Sequence, residues 1–160
     1  MIDVMLPTEN TPQEPELLEN LYIFCIIWSL GGALTEESRL PFEEYVKTLA
    51  ERTLPPGSLY NYYYDRDTRV WPEWDTKVKA RGFELPADRK FSSILVPTID
   101  TERYSWLLGE IILLEKPVLF VGESGTAKSV TISNYLGSLD SESFLLLNIN
   151  FSSRTTSYDA

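Results

Sequence analysis

Histidine is absent from this 160-residue sequence, and cysteine occurs once, as Cys25. A disulfide within the chain is therefore impossible, and zinc lacks its usual ligands. Catalysis through a Ser-His-Asp or Cys-His arrangement is excluded as well. Cys25 stands in the apolar stretch LYIFCIIW, where a buried, inert thiol is expected. Basic residues are few: 14 Lys and Arg stand against 24 Asp and Glu, a net charge of −10. That balance argues against a nucleic-acid partner and against docking on an anionic membrane. Long hydrophobic runs are also missing. Residues 21–28 are too few to cross a bilayer, and the polar segment before them lacks the basic flank of a signal peptide. An intracellular location is the expectation. The remaining composition, 43% hydrophobic and 24% charged, is that of an ordinary folded chain. It suffices for one domain with a sizeable core, or for two pieces of a larger protein.

Apolar residues recur at helical spacing from Pro15 to Trp28: Leu17, Leu18, Leu21, Tyr22, Phe24, Cys25 and Trp28. The spacing predicts a helix packed on both sides, ending at Gly31-Gly32. A second helix is expected from about Leu40, with Phe42, Tyr45, Val46 and Leu49 on one face. LPPGS then breaks the chain. In LYNYYYDRDTRVWPEW the tyrosines favour a strand, Asp65 to Thr68 a turn, and Val70, Trp71 and Trp74 a return strand. Pro72 would restrict that strand to an edge. The predicted element is an aromatic β-hairpin, with Tyr62, Trp71 and Trp74 packing on the core rather than stacking on bases.

A polar connection follows, KARGFELPADRKF. Asp100 or Thr101 is placed to cap a helix in which Tyr104, Leu107, Leu108, Ile111 and Ile112 face inward. PVLFV and FLLLNINF have the continuous apolar character of strands in a covered parallel sheet. With the helix between them they predict a βαβ unit. The predicted fold class is thus α/β: an incomplete P-loop nucleotide-binding core, preceded by a helical lid-like segment and the aromatic β-hairpin. The expected division is 1–54, 55–90 and 91–160.

Between the two apolar runs lies VGESGTAKS, close to the phosphate-binding pattern G-x-x-x-x-G-K-[ST]. The candidate phosphate site comprises Gly122, Glu123, Ser124, Gly125, Thr126, Ala127, Lys128 and Ser129. Backbone N–H groups at a helix start can cradle phosphate oxygens, Lys128 can reach the terminal phosphates, and the Ser129 hydroxyl can bind Mg²⁺. Ala127 replaces the last glycine; a negative φ is expected there, so that its methyl is tolerated. Hydrolysis would also need acids that order Mg²⁺ and water. No apolar run ending in acids follows the loop before Ala160, so these residues by themselves are not expected to turn over ATP.

VPTIDTERYSWLL, KPVLFVGESGTAKS and NINFSSRTTS together resemble the start of the third AAA+ module of a dynein heavy chain, of the axonemal class and within it the inner-arm type. LYIFCIIWSLGGAL resembles the lid helix that ends the second module, and the aromatic segment resembles the connection between the two. The resemblance covers residues 17–159. It implies ATP or ADP and Mg²⁺ as ligands, and adenine contact by Leu95, Val96 and Pro97. It also implies a regulatory role in a minus-end-directed microtubule motor of cilia and flagella. The partners would be neighbouring AAA+ modules, the microtubule and dynein accessory chains, in the cytoplasm, cytoskeleton and axoneme. Two other readings stay open: a free-standing P-loop domain or kinase fragment, and a structural fragment whose loop is vestigial.

Overall fold

A helix that is apolar on nearly every side needs neighbours on every side, and the chain is built around one such helix. The structure, a computed structural model, describes residues 1–7, 9, 11–83, 96–152, 154 and 156. A single turn, α1 (Ile2–Met5), precedes the long helix α2 (Pro15–Ser29). Pro15 stands in the first turn, where its missing N–H is no loss, and Glu16 faces the positive helix end. Leu21, Phe24, Cys25 and Trp28 are buried as expected, and Ile27 is buried as well. Leu18 and Tyr22, expected inward, remain 37% and 50% exposed.

A 3-10 turn (Gly31–Ala33) leads into α3 (Glu36–Leu49). This helix starts earlier than Leu40, because extended Thr35 precedes two acids in its first turn. It carries Pro41 inside, forgoing one backbone bond. Val46 is buried and Phe42 half-buried, whereas Tyr45 and Leu49, expected on the same inward face, are exposed. Gly31 is required by close approach: a Cβ there would lie 2.1 Å from Tyr60 Oη and 2.7 Å from Phe42 Cε1.

Glu43, only 2% exposed, ties α3 to the next segment. It pairs with Lys47 (2.7 Å), accepts from the Leu59 N–H (3.0 Å) and accepts from Ser58 Oγ (2.8 Å). Lys47 also donates to the Gly57 carbonyl.

The aromatic segment reverses direction, but no β-hairpin ladder forms among the described residues. Leu59–Asn61 is a 3-10 turn. Tyr62 and Glu73, and Asp65 and Val70, make isolated antiparallel bridges. The reversal is held by Asp65, whose Oδ1 accepts from the N–H groups of Asp67 (2.9 Å) and Thr68 (3.3 Å). Pro72 contributes no N–H to a ladder. Beyond it the chain becomes α4 (Trp74–Arg81), so Trp74 lies on a helix and not on a return strand. The expectation that Trp71 and Trp74 pack on the core holds. Trp74 is fully buried, 4.9 Å from Tyr63 and 5.5 Å from Trp106 between ring centroids. Trp71 stacks at a tilt on Tyr64 (5.1 Å), and its Nε1 donates to Asn20 Oδ1 (2.9 Å). Tyr62 lies at the rim instead, its hydroxyl 3.4 Å from the Glu73 carboxylate.

Helix α5 (Ile99–Ile112) packs against α4 and against α6 (Lys128–Leu136). Its cap is Thr98, not Asp100 or Thr101. Thr98 Oγ1 accepts from the Thr101 N–H (3.2 Å) and Thr101 Oγ1 accepts from the Thr98 N–H (2.8 Å), a reciprocal capping box. Leu107 and Leu108 are buried, while Tyr104, Ile111 and Ile112 are half-buried.

Residues 116–123 and 144–152 form no strand among the described residues, so the expected βαβ pair is not closed. Leu119, Val121 and Leu145 are 85%, 83% and 99% exposed. The physical reason is nonlocal: strands of a parallel sheet need neighbours for their N–H and C=O groups and cover on both faces. Phe120 alone in its run packs inward, 6.3 Å from Tyr104.

Candidate phosphate-binding loop

The candidate loop, residues 122–129, joins the run 117–121 to α6. Two of its backbone positions are left-handed: Gly125 (φ 84°) and Ala127 (φ 57°, ψ 13°). The expectation of a negative φ at Ala127 is therefore wrong. Ala127 is the residue before the first helical turn, where the chain must swing from the loop into α6, and closing that turn dictates its backbone. Gly125 has the conformation that glycine adopts freely, and no atom lies within 4 Å of where its Cβ would be. At Gly122 a Cβ would meet Thr126 Oγ1 at 3.4 Å and Lys128 Nζ at 3.9 Å, so the loop closes tightly over that position.

Lys128 supplies the site's positive charge. Its Nζ donates to the Gly122 carbonyl (2.9 Å), to Thr126 Oγ1 (3.0 Å) and to the Glu123 carbonyl. Thr126 Oγ1 in turn donates to the Glu123 carbonyl (2.9 Å). The ammonium is thus folded over the loop's own oxygens. The first turn of α6 contains no acid, so nothing there opposes an anion at the positive end of the helix. Ser124 and Glu123 are exposed on the loop, and Ser129 is exposed one residue into α6. The role of Thr126 as a latch within the loop was not singled out from sequence.

The three residues expected at adenine are only partly placed. Leu95 lies outside the described residues. Val96 is 55% exposed. Pro97 borders a cavity of about 30 Å³ with Arg81, Thr101, Glu102, Ser105 and Asn134. That is room for about one water, not a purine. An open groove of about 480 Å³ beside Thr35, Glu36, Glu37 and Leu40 has acids on its wall and suits no phosphate. No group of three or more His, Cys, Asp or Glu poised for a metal occurs among the described residues. As a Mg²⁺ ligand Ser129 therefore offers one hard oxygen, and the rest of the shell would come from phosphates and water. No helix of the described residues is long and apolar enough to cross a membrane.

Comparison with known proteins places the sequence in two matched stretches. The family described as "P-loop containing dynein motor region" matches residues 83–160. That described as "Dynein heavy chain AAA lid domain" matches residues 1–76. The sequence is 47% identical over 161 residues to the dynein-1-alpha heavy chain of the flagellar inner arm I1 complex of Chlamydomonas reinhardtii. That alignment covers 91% of this chain and 3% of the relative. Identity to human dynein axonemal heavy chain 10 is 37% over 174 residues, 99% of this chain and 4% of the relative. Identity to rat dynein axonemal heavy chain 5 is 32% over 165 residues, 98% of this chain and 5% of the relative. The chain thus spans between 3% and 5% of the length of these relatives.

Proposed function

This chain belongs to the dynein heavy-chain family, and from that premise we propose that its 122–129 loop binds ATP or ADP as a regulatory nucleotide site. Residues 1–54 are then the lid of one AAA+ module, 55–90 the connection, and 91–160 the start of the third module. The observation that carries the reading is the loop's geometry. Left-handed Gly125 turns the chain so that α6 opens at Lys128, with no acid in its first turn. Backbone N–H groups at that opening suit phosphate oxygens, and the helix dipole adds to their attraction. Lys128 exchanges its contacts with the Gly122 and Glu123 carbonyls for the terminal phosphates. Thr126 remains to hold the loop closed. Ser129 provides a hydroxyl for Mg²⁺, whose chemistry is to neutralise phosphate charge. The contact to the base falls to Leu95, Val96 and Pro97 by the family resemblance alone.

Movement toward microtubule minus ends belongs to the whole heavy chain, in the axoneme of a cilium or flagellum. Its partners are the neighbouring AAA+ modules, the microtubule and accessory chains. The nucleotide held here gates hydrolysis elsewhere in the ring.

The test is calorimetric titration of ADP and ATP. A charge-assisted hydrogen bond is worth about 1.5–3 kcal/mol, so Lys128→Ala should weaken binding by about one to two decades. Equal binding by wild type and Lys128→Ala would remove the loop from the site. One observation favours a vestigial loop instead: Ala127 is held left-handed without being glycine. Under that reading wild type binds nothing and only Ala127→Gly gains affinity.

A further inference from the structure

The nucleotide loop is seated by a helix that also rests on the lid. Among residues 118–121, Leu119 and Val121 point outward, 85% and 83% exposed, while Phe120 is partly buried. Phe120 meets Tyr104 of α5 edge-on, with ring centroids 6.3 Å apart and planes at 75°. Two residues later the chain reaches Gly122. Tyr104 also meets Trp28 of the lid helix α2, at 6.3 Å and 84°. Trp28 is 8% exposed and packs edge-on against Tyr60 at 5.5 Å. Arg103 braces the same junction. Its guanidinium lies 5.1 Å from the Tyr104 ring and 5.8 Å from the Trp28 ring, and its Nη1 donates to the Tyr60 carbonyl at 3.3 Å.

The helix that leaves the loop touches the same α5, toward its far end. A Cβ on Gly109 of α5 would come within 3.0 Å of Tyr135 Oη on α6, so α5 and α6 are in close contact there. Helix α5 therefore bears on both the entry to the phosphate loop and the helix that leaves it. Tyr104 is a side chain on α5 that touches lid and loop entry together.

We infer that Tyr104 is a positioning residue for the nucleotide site: its ring, wedged between Trp28 and Phe120, sets the loop's entry against the lid helix. The chemistry is packing, not contact with nucleotide. Edge-to-face rings hold one another at a defined distance and angle, and a packed chain of side chains carries energetic coupling between two sites. Coupling is reciprocal, so nucleotide at the loop should in turn steady the lid junction at Trp28. The inference rests on the nucleotide reading of the loop for its consequence, and on the ring contacts for its mechanism.

Two measurements on the same chain separate these. The first is backbone ¹⁵N relaxation of residues 118–122 without nucleotide. Tyr104→Ala should lower the order parameters there to below about 0.6, the flexible range, and Tyr104→Phe, which keeps the ring, should not. The second is the Kd for ADP. Tyr104→Ala should weaken it about threefold to tenfold, Tyr104→Phe should restore it, and Phe120→Ala added to Tyr104→Ala should cost little more. Val46→Ala, a buried change on α3 that brings no ring to the junction, lowers general stability and should leave the Kd alone. Unchanged backbone order at 118–122 and an unchanged Kd in a folded Tyr104→Ala overturn the inference, as does an equal loss of affinity in Val46→Ala. Lower backbone order in Tyr104→Ala with no ADP binding by wild type would retain the anchoring contact but end both the nucleotide reading and the positioning role built on it.

Discussion

Replacing Ala127 by glycine should make the protein more stable, although glycine before a helix interior is ordinarily a loss. Ala127 sits at φ 57°, ψ 13°, where an L-residue with a Cβ is disfavoured by about 1–2 kcal/mol. Glycine removes that cost but enlarges the unfolded ensemble, which takes back about 0.4–1 kcal/mol. The net gain is about 0.5–1 kcal/mol, a rise in Tm of roughly 1–4 °C for a chain of this size. The counterpart is Gly125→Ala. Gly125 has φ 84° with no atom within 4 Å of a Cβ, so the cost would be backbone strain without a clash: about 1–2 kcal/mol, less roughly 0.4–1 kcal/mol that alanine recovers in the unfolded chain, a net loss of about 0.5–1 kcal/mol. Urea unfolding of wild type and both variants, read at the midpoint with unchanged slope, checks the pair. If Ala127→Gly instead lost about 1 kcal/mol, as glycine does inside a helix, the left-handed assignment would be wrong. In ADP titration the same variant should alter the Kd by less than about threefold, because the backbone N–H groups and Lys128 are untouched.

Other perturbations have definite signs. Gly31→Ala puts a methyl 2.1 Å from Tyr60 Oη and 2.7 Å from Phe42 Cε1; overpacking of this kind costs about 1–3 kcal/mol, measurable as a lowered urea midpoint. Glu43→Gln removes the buried charge that holds Lys47, Ser58 and the Leu59 N–H. The loss should be about 3 kcal/mol, at the low end of the cost of a broken buried pair because Lys47 keeps access to water. Burial pushes the Cys25 thiol from 9.0 up to about 11. The folded state then holds the thiol proton more tightly than the unfolded chain. This contribution to stability is full below about pH 9 and falls by up to about 1.4 kcal/mol per pH unit toward about 11. In Cys25→Ala that alkaline slope should flatten. The same thiol should resist alkylation at neutral pH until the protein unfolds.

Some of this was legible in the sequence because it depends on neighbours along the chain. The burial of Cys25 and Trp28 follows from helical spacing in α2. The phosphate loop was readable from Gly122, Gly125, Lys128 and Ser129, and so was the helix that begins at Lys128. What was misread depends on closure in space. Tyr62, Val70 and Trp74 favour strands by residue type, yet Pro72 and the extended Glu73 start a helix at Trp74, and tertiary packing of Trp74 against Trp106 fixes it. The runs 117–121 and 144–149 have the apolar character of strands, and no ladder joins them among the described residues; pairing depends on partners in space rather than on the run itself. The cap of α5 was expected at Asp100 or Thr101 and lies at Thr98, which was not singled out from sequence; the reciprocal bonds of Thr98 and Thr101 decide it. The sign of φ at Ala127 is set by how the loop closes onto α6, which no single residue type encodes.

The central claim is that backbone N–H groups at the start of α6 receive phosphate. Hydrogen exchange of the amides of residues 123–129, with and without saturating ADP and Mg²⁺, tests it most directly. The account predicts strong slowing of exchange at these amides in wild type, reduced in Lys128→Ala and retained in Ala127→Gly. Unaltered exchange across 123–129 at saturating ADP would contradict it, wherever else in the protein the nucleotide left its mark.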